Sequence, residues 1–125
     1  MSNFEKVIAP KLETVSVALT PPATVRLAGT ITSKDPSQDL AAFMRSVHQA
    51  AIADSLPQLT VDVSALTFVN SSAIRLFVDW ATWVKDSTQR YKLRFVTSRK
   101  ITRQKTSFMA LTSLAKDVLI IDPVD

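Results

Sequence analysis

The sequence predicts a single α/β domain built around a central, mainly parallel β-sheet. Its 125 residues are 46% hydrophobic, which suits one domain with a continuous core. Segments that alternate like strands are interleaved with segments of helical periodicity, in the order β-β-α-β-α-β-α-β. No internal repeat, low-complexity tract or change in composition divides the chain. Residues 1–125 are therefore expected to form one domain.

The first two strands are expected to pair as an antiparallel hairpin. Residues 15–20 alternate in the manner of a strand, and the prolines at 21–22 then impose a turn because proline donates no backbone hydrogen bond. Residues 25–31 form the second predicted strand, which ends around Gly29. Residues 1–14 are expected to be either an extra edge strand or a partly disordered segment.

The first helix is predicted from its start signals and its apolar face. Asp35, Pro36 and Gln38 are suited to the N-cap, the first and the third helical position, and the Leu56–Pro57 step should end the helix. Its buried face should carry five apolar residues at helical spacing, Leu40, Phe43, Met44, Val47 and Ala51. His48 lies beside this face, and without a second ligand-type residue one turn away it is interpreted as a surface or flanking residue, not a metal ligand.

The rest of the chain is predicted to alternate between strand and helix. Residues 59–63 should form a strand with Asp62 near its end, followed by a loop over residues 64–69. Four further elements complete the order, namely a helix from Ser71 to about Ser87, a strand Tyr91–Thr97, a helix Thr102–Lys116 and a strand Val118–Ile121. Right-handed βαβ crossovers between these strands would give a parallel sheet.

The composition argues against an enzyme. The chain has no cysteine, one histidine and one glycine. Disulfides, thiolate nucleophiles and glycine-rich phosphate loops are thereby excluded, and no metal site or cofactor is predicted. A hydrolase built from Ser72 with Asp62 or Asp79 would lack a base placed to activate the serine.

Charge and hydropathy limit the expected partners. The formal net charge is +4, and basic residues are concentrated in the run Arg99–Lys105. No aromatic residue is interleaved there to stack on bases, so the run is interpreted as a solvated loop and first helical turn rather than a nucleic-acid site. No apolar run approaches the roughly 18 residues of a membrane span, and no secretory signal is recognisable. We expect a cytoplasmic protein that binds neither nucleic acid nor membrane.

The segment Thr60–Leu76 resembles a known family. It is similar to the signature of STAS domains, the anti-sigma-factor-antagonist class, in which a strand ending in Asp-Leu-Ser leads through an apolar and aromatic loop to Asp-Ser-Ser-Gly-Leu at the start of a helix. The matching residues here are Asp62, Val63 and Ser64, then Asn70, Ser71, Ser72, Ala73 and Ile74. The strand at residues 25–31 and the predicted element order also agree with the family.

The resemblance implies a phosphorylation switch. In partner-switching members of the family, the second serine is phosphorylated by a kinase that also acts as an anti-sigma factor or similar partner, and a phosphatase can reverse this. Ser72 matches that serine, and Ser71 is less favoured. The implied switch loop is Asn70, Ser71, Ser72 and Ala73, where the family usually has aspartate at the first position and glycine at the last. The alternative is that these residues only cap the helix.

The helix after the serines has an unusually broad apolar arc. The arc is about twice as wide as the stripe of roughly 100° that one sheet-packed helix needs. The residues predicted to bind a partner are Arg75, Leu76, Asp79, Trp80 and Trp83. Burial of this flank by a neighbouring helix is an equal alternative, and self-association into a homodimer is also open.

Two functions are consistent with these observations. The leading hypothesis is a regulatory protein-binding domain that docks a kinase or anti-sigma-type partner and is switched at Ser72. The alternative is a STAS domain that is not phosphorylated and binds a small molecule, for example a nucleotide, or serves as a scaffold subunit.

Overall fold

The computed structural model describes residue 7 and residues 15–20, 23–31, 35–69, 71–87, 91–101 and 118–124, with side chains throughout these ranges except at residues 35–39, 69 and 71–73. Within the N-terminal segment 1–14, Val7 is described, and it packs half-buried against the core. The predicted helix Thr102–Lys116 lies outside the described residues.

The described chain forms one five-stranded sheet and two helices. The elements in chain order are β1 (Val15–Thr20), β2 (Thr24–Ile31), α1 (Asp35–Ala53), β3 (Gln58–Val69), α2 (Ser71–Asp86), β4 (Lys92–Ser98) and β5 (Leu119–Val124). The strands lie side by side in that order; β1 and β2 are antiparallel, and the other neighbours are parallel. The predicted α/β class, hairpin and mainly parallel sheet are confirmed.

The core lies between one face of the sheet and a layer formed by α1 and α2. Both crossovers advance one strand in the same direction, so the right-handed rule places both helices on one face, where they pack against each other. Val25 and Leu27 on β2 are buried on this side, whereas Arg26 between them is exposed. The five residues predicted for the buried face of α1 are all 4% exposed or less.

Helix α1 ends at Ala53, slightly before the predicted stop. Ser55 adopts a left-handed backbone conformation with φ of 54°. The Leu56 amide donates to the Ala51 carbonyl and the Ser55 amide to the Ile52 carbonyl, both at 3.0 Å. This is the Schellman pattern, which pairs the last carbonyls of a helix and turns the chain away. The chain therefore leaves the helix before Pro57 is reached.

Strand β3 is longer than predicted, and the loop expected over residues 64–69 is wrong. The strand spans 12 residues, and its second half pairs with the second half of β2 after register irregularities between Arg26 and Ala28 and between Gly29 and Thr30. Gly29 has φ of 107°, a value that glycine tolerates best, and Leu66 is fully buried. The neighbouring strand keeps these residues extended, which the local pattern alone did not reveal.

Strand β5 also continues past its predicted end, to Val124. Its register with β4 places Asp122 beside Val96 and next to Arg94, whose guanidinium forms an ion pair with the Asp122 carboxylate. Pro123 is tolerated because β5 is an edge strand, where a missing amide donor leaves no neighbour unpaired.

Candidate functional site

The candidate site begins where β3 passes into α2. Ser71 is the first residue of α2 and Val69 the last of β3, so Ser71 and Ser72 occupy the first turn of the helix. A first turn presents unpaired amide groups and the positive end of the helix dipole. Asn70 and the side chains of Ser71, Ser72 and Ala73 lie outside the described residues, and the switch loop remains a prediction.

The end of β3 adds an exposed aromatic side chain that the sequence interpretation did not select. Phe68 is 37% exposed, and its register partner on β2 is Thr30. The neighbouring Thr67 is exposed, and its hydroxyl donates to the Gly29 carbonyl at 3.1 Å. The sequence feature that could have identified Phe68 is its position three residues before Ser71.

The first half of α2 carries three of the predicted contact residues at its surface. Arg75 is exposed, whereas Leu76 and Asp79 are half-buried. Residues three and four apart share one face of a helix, so Ser72 lies on the same side of α2 as Arg75, Leu76 and Asp79. Phe68 comes three residues before Ser71 in the chain. Because of the role proposed for them, Phe68, the first turn of α2 and this face are together named the docking surface.

The prediction that Trp80 contacts a partner is wrong. Its side chain is 0% exposed, and the indole Nε1–H donates to the Tyr91 hydroxyl at 2.9 Å. Trp83 is half-buried against α1, with its ring centroid 5.9 Å from that of His48 and 4.9 Å from the Arg45 guanidinium carbon. The alternative, burial by the neighbouring first helix, holds for this part of the arc.

His48 has a structural role that sequence reasoning missed. Its Nδ1 lies 2.7 Å from the Tyr91 hydroxyl, so α1 is tied to the residue that precedes β4. Burial lowers the pKa of His48, and Arg45 lowers it further. Burial raises the pKa of the Tyr91 hydroxyl well above its usual value, against a smaller opposing effect of the Trp80 hydrogen bond. Because 43 residues separate His48 from Tyr91 in the sequence, no local pattern could predict this contact.

Asp62 and the basic run were the remaining features that the sequence analysis considered for a site. Asp62 lies within β3, where its Oδ1 accepts from the Ser64 amide at 3.0 Å and the Ser64 hydroxyl at 2.6 Å. In the described part of the chain, no group of three or more metal-ligating side chains comes together. Arg99 and Lys100 are exposed, and residues 102–105 of the basic run lie outside the described ranges.

Over the residues that the structure describes, none of the helices has both the length and the apolar character needed to cross a bilayer.

Solved structures show which fold this is, whereas no protein-family model and no curated protein matches the sequence. One similar structure is an anti-sigma factor antagonist from Mycobacterium paratuberculosis, with a TM-score of 0.58 and 22% identity over 89% of this chain and 86% of that one. Another is SiaC from Pseudomonas aeruginosa, crystallised as the activator of the diguanylate cyclase SiaD, with a TM-score of 0.65 and 14% identity over 94% of this chain and 98% of that one. The chain therefore has the STAS-like fold that the sequence motif predicted.

Proposed function

We propose that this protein is a regulatory binding domain that docks a protein partner through the docking surface and is switched by phosphorylation of Ser72. The observation that carries the proposal is the 37% exposure of Phe68 immediately before the first turn of α2, in a STAS-like fold. An exposed aromatic side chain beside a helix start is the kind of anchor that dominates protein interfaces.

The two similar structures support a partner-binding role. One is named for its antagonism of an anti-sigma factor, and the other is an activator in complex with a cyclase. Each of these proteins is thus described by its effect on another protein. The partner class that we propose here is an anti-sigma-type serine kinase, with a phosphatase to reverse the modification.

The position of Ser72 suits a phosphate. The amide groups and dipole of the first turn favour an anion, and Arg75, exposed three residues further on, can pair with it. A phosphoserine carries a charge of about −1.5 to −2 at neutral pH and would place it on the rim of the docking surface. A partner that packs against a neutral serine is then disfavoured by desolvation and altered charge.

No competing catalytic function is supported at this serine. The sole histidine, His48, is already hydrogen-bonded to Tyr91, and it packs on Trp83, three turns along α2 from Ser72. His48 is therefore not placed to act as a base for Ser72.

The proposal is tested by incubating the protein with a candidate serine kinase from the same genome and ATP, followed by mass spectrometry. Phosphate should appear on Ser72, should be lost in Ser72→Ala, and should persist in Ser46→Ala, a matched control at an exposed serine on α1. Kinase affinity should fall in Ser72→Glu and be kept in Ser46→Glu.

Other outcomes would redirect the proposal. Tight binding without modification would reduce the switch to constitutive docking. Stabilisation by a nucleotide in a thermal-shift assay, unchanged in Ser72→Ala, would favour the small-molecule alternative. Phosphate on Ser71 would move the switch by one residue.

A further inference from the structure

Three polar side chains form a hydrogen-bonded chain between the two helices and the sheet. Trp80 Nε1 lies 2.9 Å from the Tyr91 hydroxyl, and that hydroxyl lies 2.7 Å from His48 Nδ1. Trp80 is 0% exposed and Tyr91 3% exposed, while His48, the last of the three hydrogen-bonded side chains, is half-buried. Water therefore has little access to the first two groups.

The direction of the hydrogen bond between Trp80 and Tyr91 is fixed, and it leaves the Tyr91 proton available to His48. An indole N–H can only donate, so the Tyr91 oxygen accepts from Trp80. Burial raises the pKa of Tyr91, which favours its neutral form, and the hydroxyl proton can be donated to His48 Nδ1, 2.7 Å away. An imidazole nitrogen that accepts a hydrogen bond carries no proton itself. In this arrangement His48 is neutral, with its proton on Nε2.

We propose that the Tyr91 hydroxyl donates a hydrogen bond to the neutral imidazole of His48, which makes His48 a pH-sensitive contact between α1, α2 and the start of β4. When His48 is protonated, both ring nitrogens become donors, and the buried Tyr91 proton loses its acceptor. Mild acidification should therefore loosen the packing of the carboxyl-terminal half of α1 on α2. This inference is independent of the proposed docking function.

The titratable groups near His48 in the described residues are Arg45, Asp86 and Tyr91. Arg45 on α1 disfavours a positive imidazole, and burial does so more strongly, so the pKa of His48 lies below its ordinary value of 6.5. Asp86 on α2 lines the same open groove, of about 570 Å³. Tyr91, from the strand side, contributes no charge.

The sign of the pH effect follows from the lowered pKa. The unfolded chain takes up a proton on His48 near pH 6.5, before the folded protein does. The stabilisation is therefore complete above that pH and is lost as the pH falls from 6.5 through the folded-state pKa. Each unit by which the pKa is lowered corresponds to about a tenfold loss in the folding equilibrium constant.

The first test is nuclear magnetic resonance of the imidazole, which is unambiguous because the chain has one histidine. Nitrogen-15 shifts should show the Nε2–H tautomer at neutral pH, and the titration midpoint should lie below that of unfolded protein in denaturant. An Nδ1–H tautomer, or a midpoint at or above the unfolded value, would overturn the proposal.

The second test separates titration from mere packing. In His48→Asn the amide oxygen can still accept from Tyr91 but does not titrate, so the loss of stability between about pH 7.5 and about pH 5 should be smaller than in the wild type. Gln49→Asn, at the exposed neighbouring position, is the control for helix propensity and should keep the full pH dependence. Equal pH dependence in both variants would contradict the proposed contact.

The third test asks whether the effect is local. In amide hydrogen exchange, acidification should reduce the protection of residues 47–53 at the end of α1 after correction for the intrinsic pH effect on exchange. His48→Asn should abolish this change. In Tyr91→Phe, the His48 midpoint should rise toward that of the unfolded chain, and an unchanged midpoint would exclude Tyr91 as the partner.

Discussion

Trp80 shows how one buried polar atom fixes the rotation of a helix. Its indole ring fills the core, and its single donor is satisfied by Tyr91. A buried indole N–H without a partner would cost stability, so the ring position and the hydrogen bond favour the same helix orientation. As a result, the centre of the buried face of α2 lies among Phe77, Trp80, Ala81 and Val84.

Trp80→Phe should destabilise the protein by about 2–4 kcal/mol, because it removes buried volume and the donor to Tyr91. Trp83→Phe is the matched control: Trp83 is half-buried, and its replacement should cost about 1 kcal/mol or less. Urea unfolding followed by circular dichroism measures both changes. Equal effects of the two substitutions would mean that Trp80 is not the central side chain of this helix.

Trp83 is a different case, although it lies only one turn further along α2. The Arg45 guanidinium lies over its ring, and His48 packs against it. Such a cation–π contact at a partly exposed site contributes about 0.5–1 kcal/mol. The guanidinium of Arg45 and the ring of His48 thus contact an aromatic residue that the sequence pattern assigned to a partner.

At the scale of secondary-structure elements, the periodicity of apolar residues predicted a helix correctly where a single packing surface determines which of its residues are buried. The apolar stripe of α1 could be predicted because its members from Leu40 to Ala51 are all buried in one core. The first turn of α2 at Ser71 was likewise predictable from capping residues that follow an apolar strand. Both features depend on residues that are close together in the chain.

Features that depend on distant partners could not be predicted. The extension of β3 depends on its pairing with β2, some forty residues earlier in the chain, for example between Leu66 and Gly29. The roles of His48 and Trp80 depend on Tyr91. The exposure of Phe68 depends on β3 continuing beyond the core. In each case the local pattern is compatible with two environments, and the fold selects one.

The extension of β3 can be tested with two adjacent residues. Leu66 is 0% exposed, and Leu66→Ala should destabilise the protein by about 2–5 kcal/mol, as expected for a core leucine. Thr67 is exposed, and Thr67→Ala should change stability by about 1 kcal/mol or less, corresponding to the hydroxyl bond to Gly29. Urea unfolding midpoints measure both changes in stability. If Leu66→Ala costs as little stability as Thr67→Ala, residue 66 lies in a loop and not in β3.

At the scale of the whole molecule, different roles are proposed for the two ends of α2. The docking surface lies at the start of α2, and the His48 contact lies near its other end, about 18 Å away at 1.5 Å per residue. The opposite face of the sheet carries polar residues such as Arg26 and Asp62, which are neighbours in register. The molecule thus separates a surface proposed for partner binding from a titratable contact that holds its helices together.

The location of the docking surface can be tested with the two large apolar side chains that are exposed in the described residues, Phe68 and Ile120, each at 37%. Phe68 adjoins the start of α2, whereas Ile120 lies in the edge strand β5. Phe68→Ala should weaken binding of the kinase partner by about tenfold or more, because truncating an interface anchor costs at least about 1–2 kcal/mol. Ile120→Ala should change the affinity by less than about twofold.

Isothermal titration calorimetry measures the two affinities, and circular dichroism verifies that both variants are folded. Equal exposure makes Ile120→Ala a control for the general loss of apolar surface. Unchanged binding in Phe68→Ala would remove the end of β3 from the docking surface. A selective loss in Ile120→Ala would place the partner along the edge of β5, far from Ser72, where phosphorylation of that serine would have no direct means of displacing it.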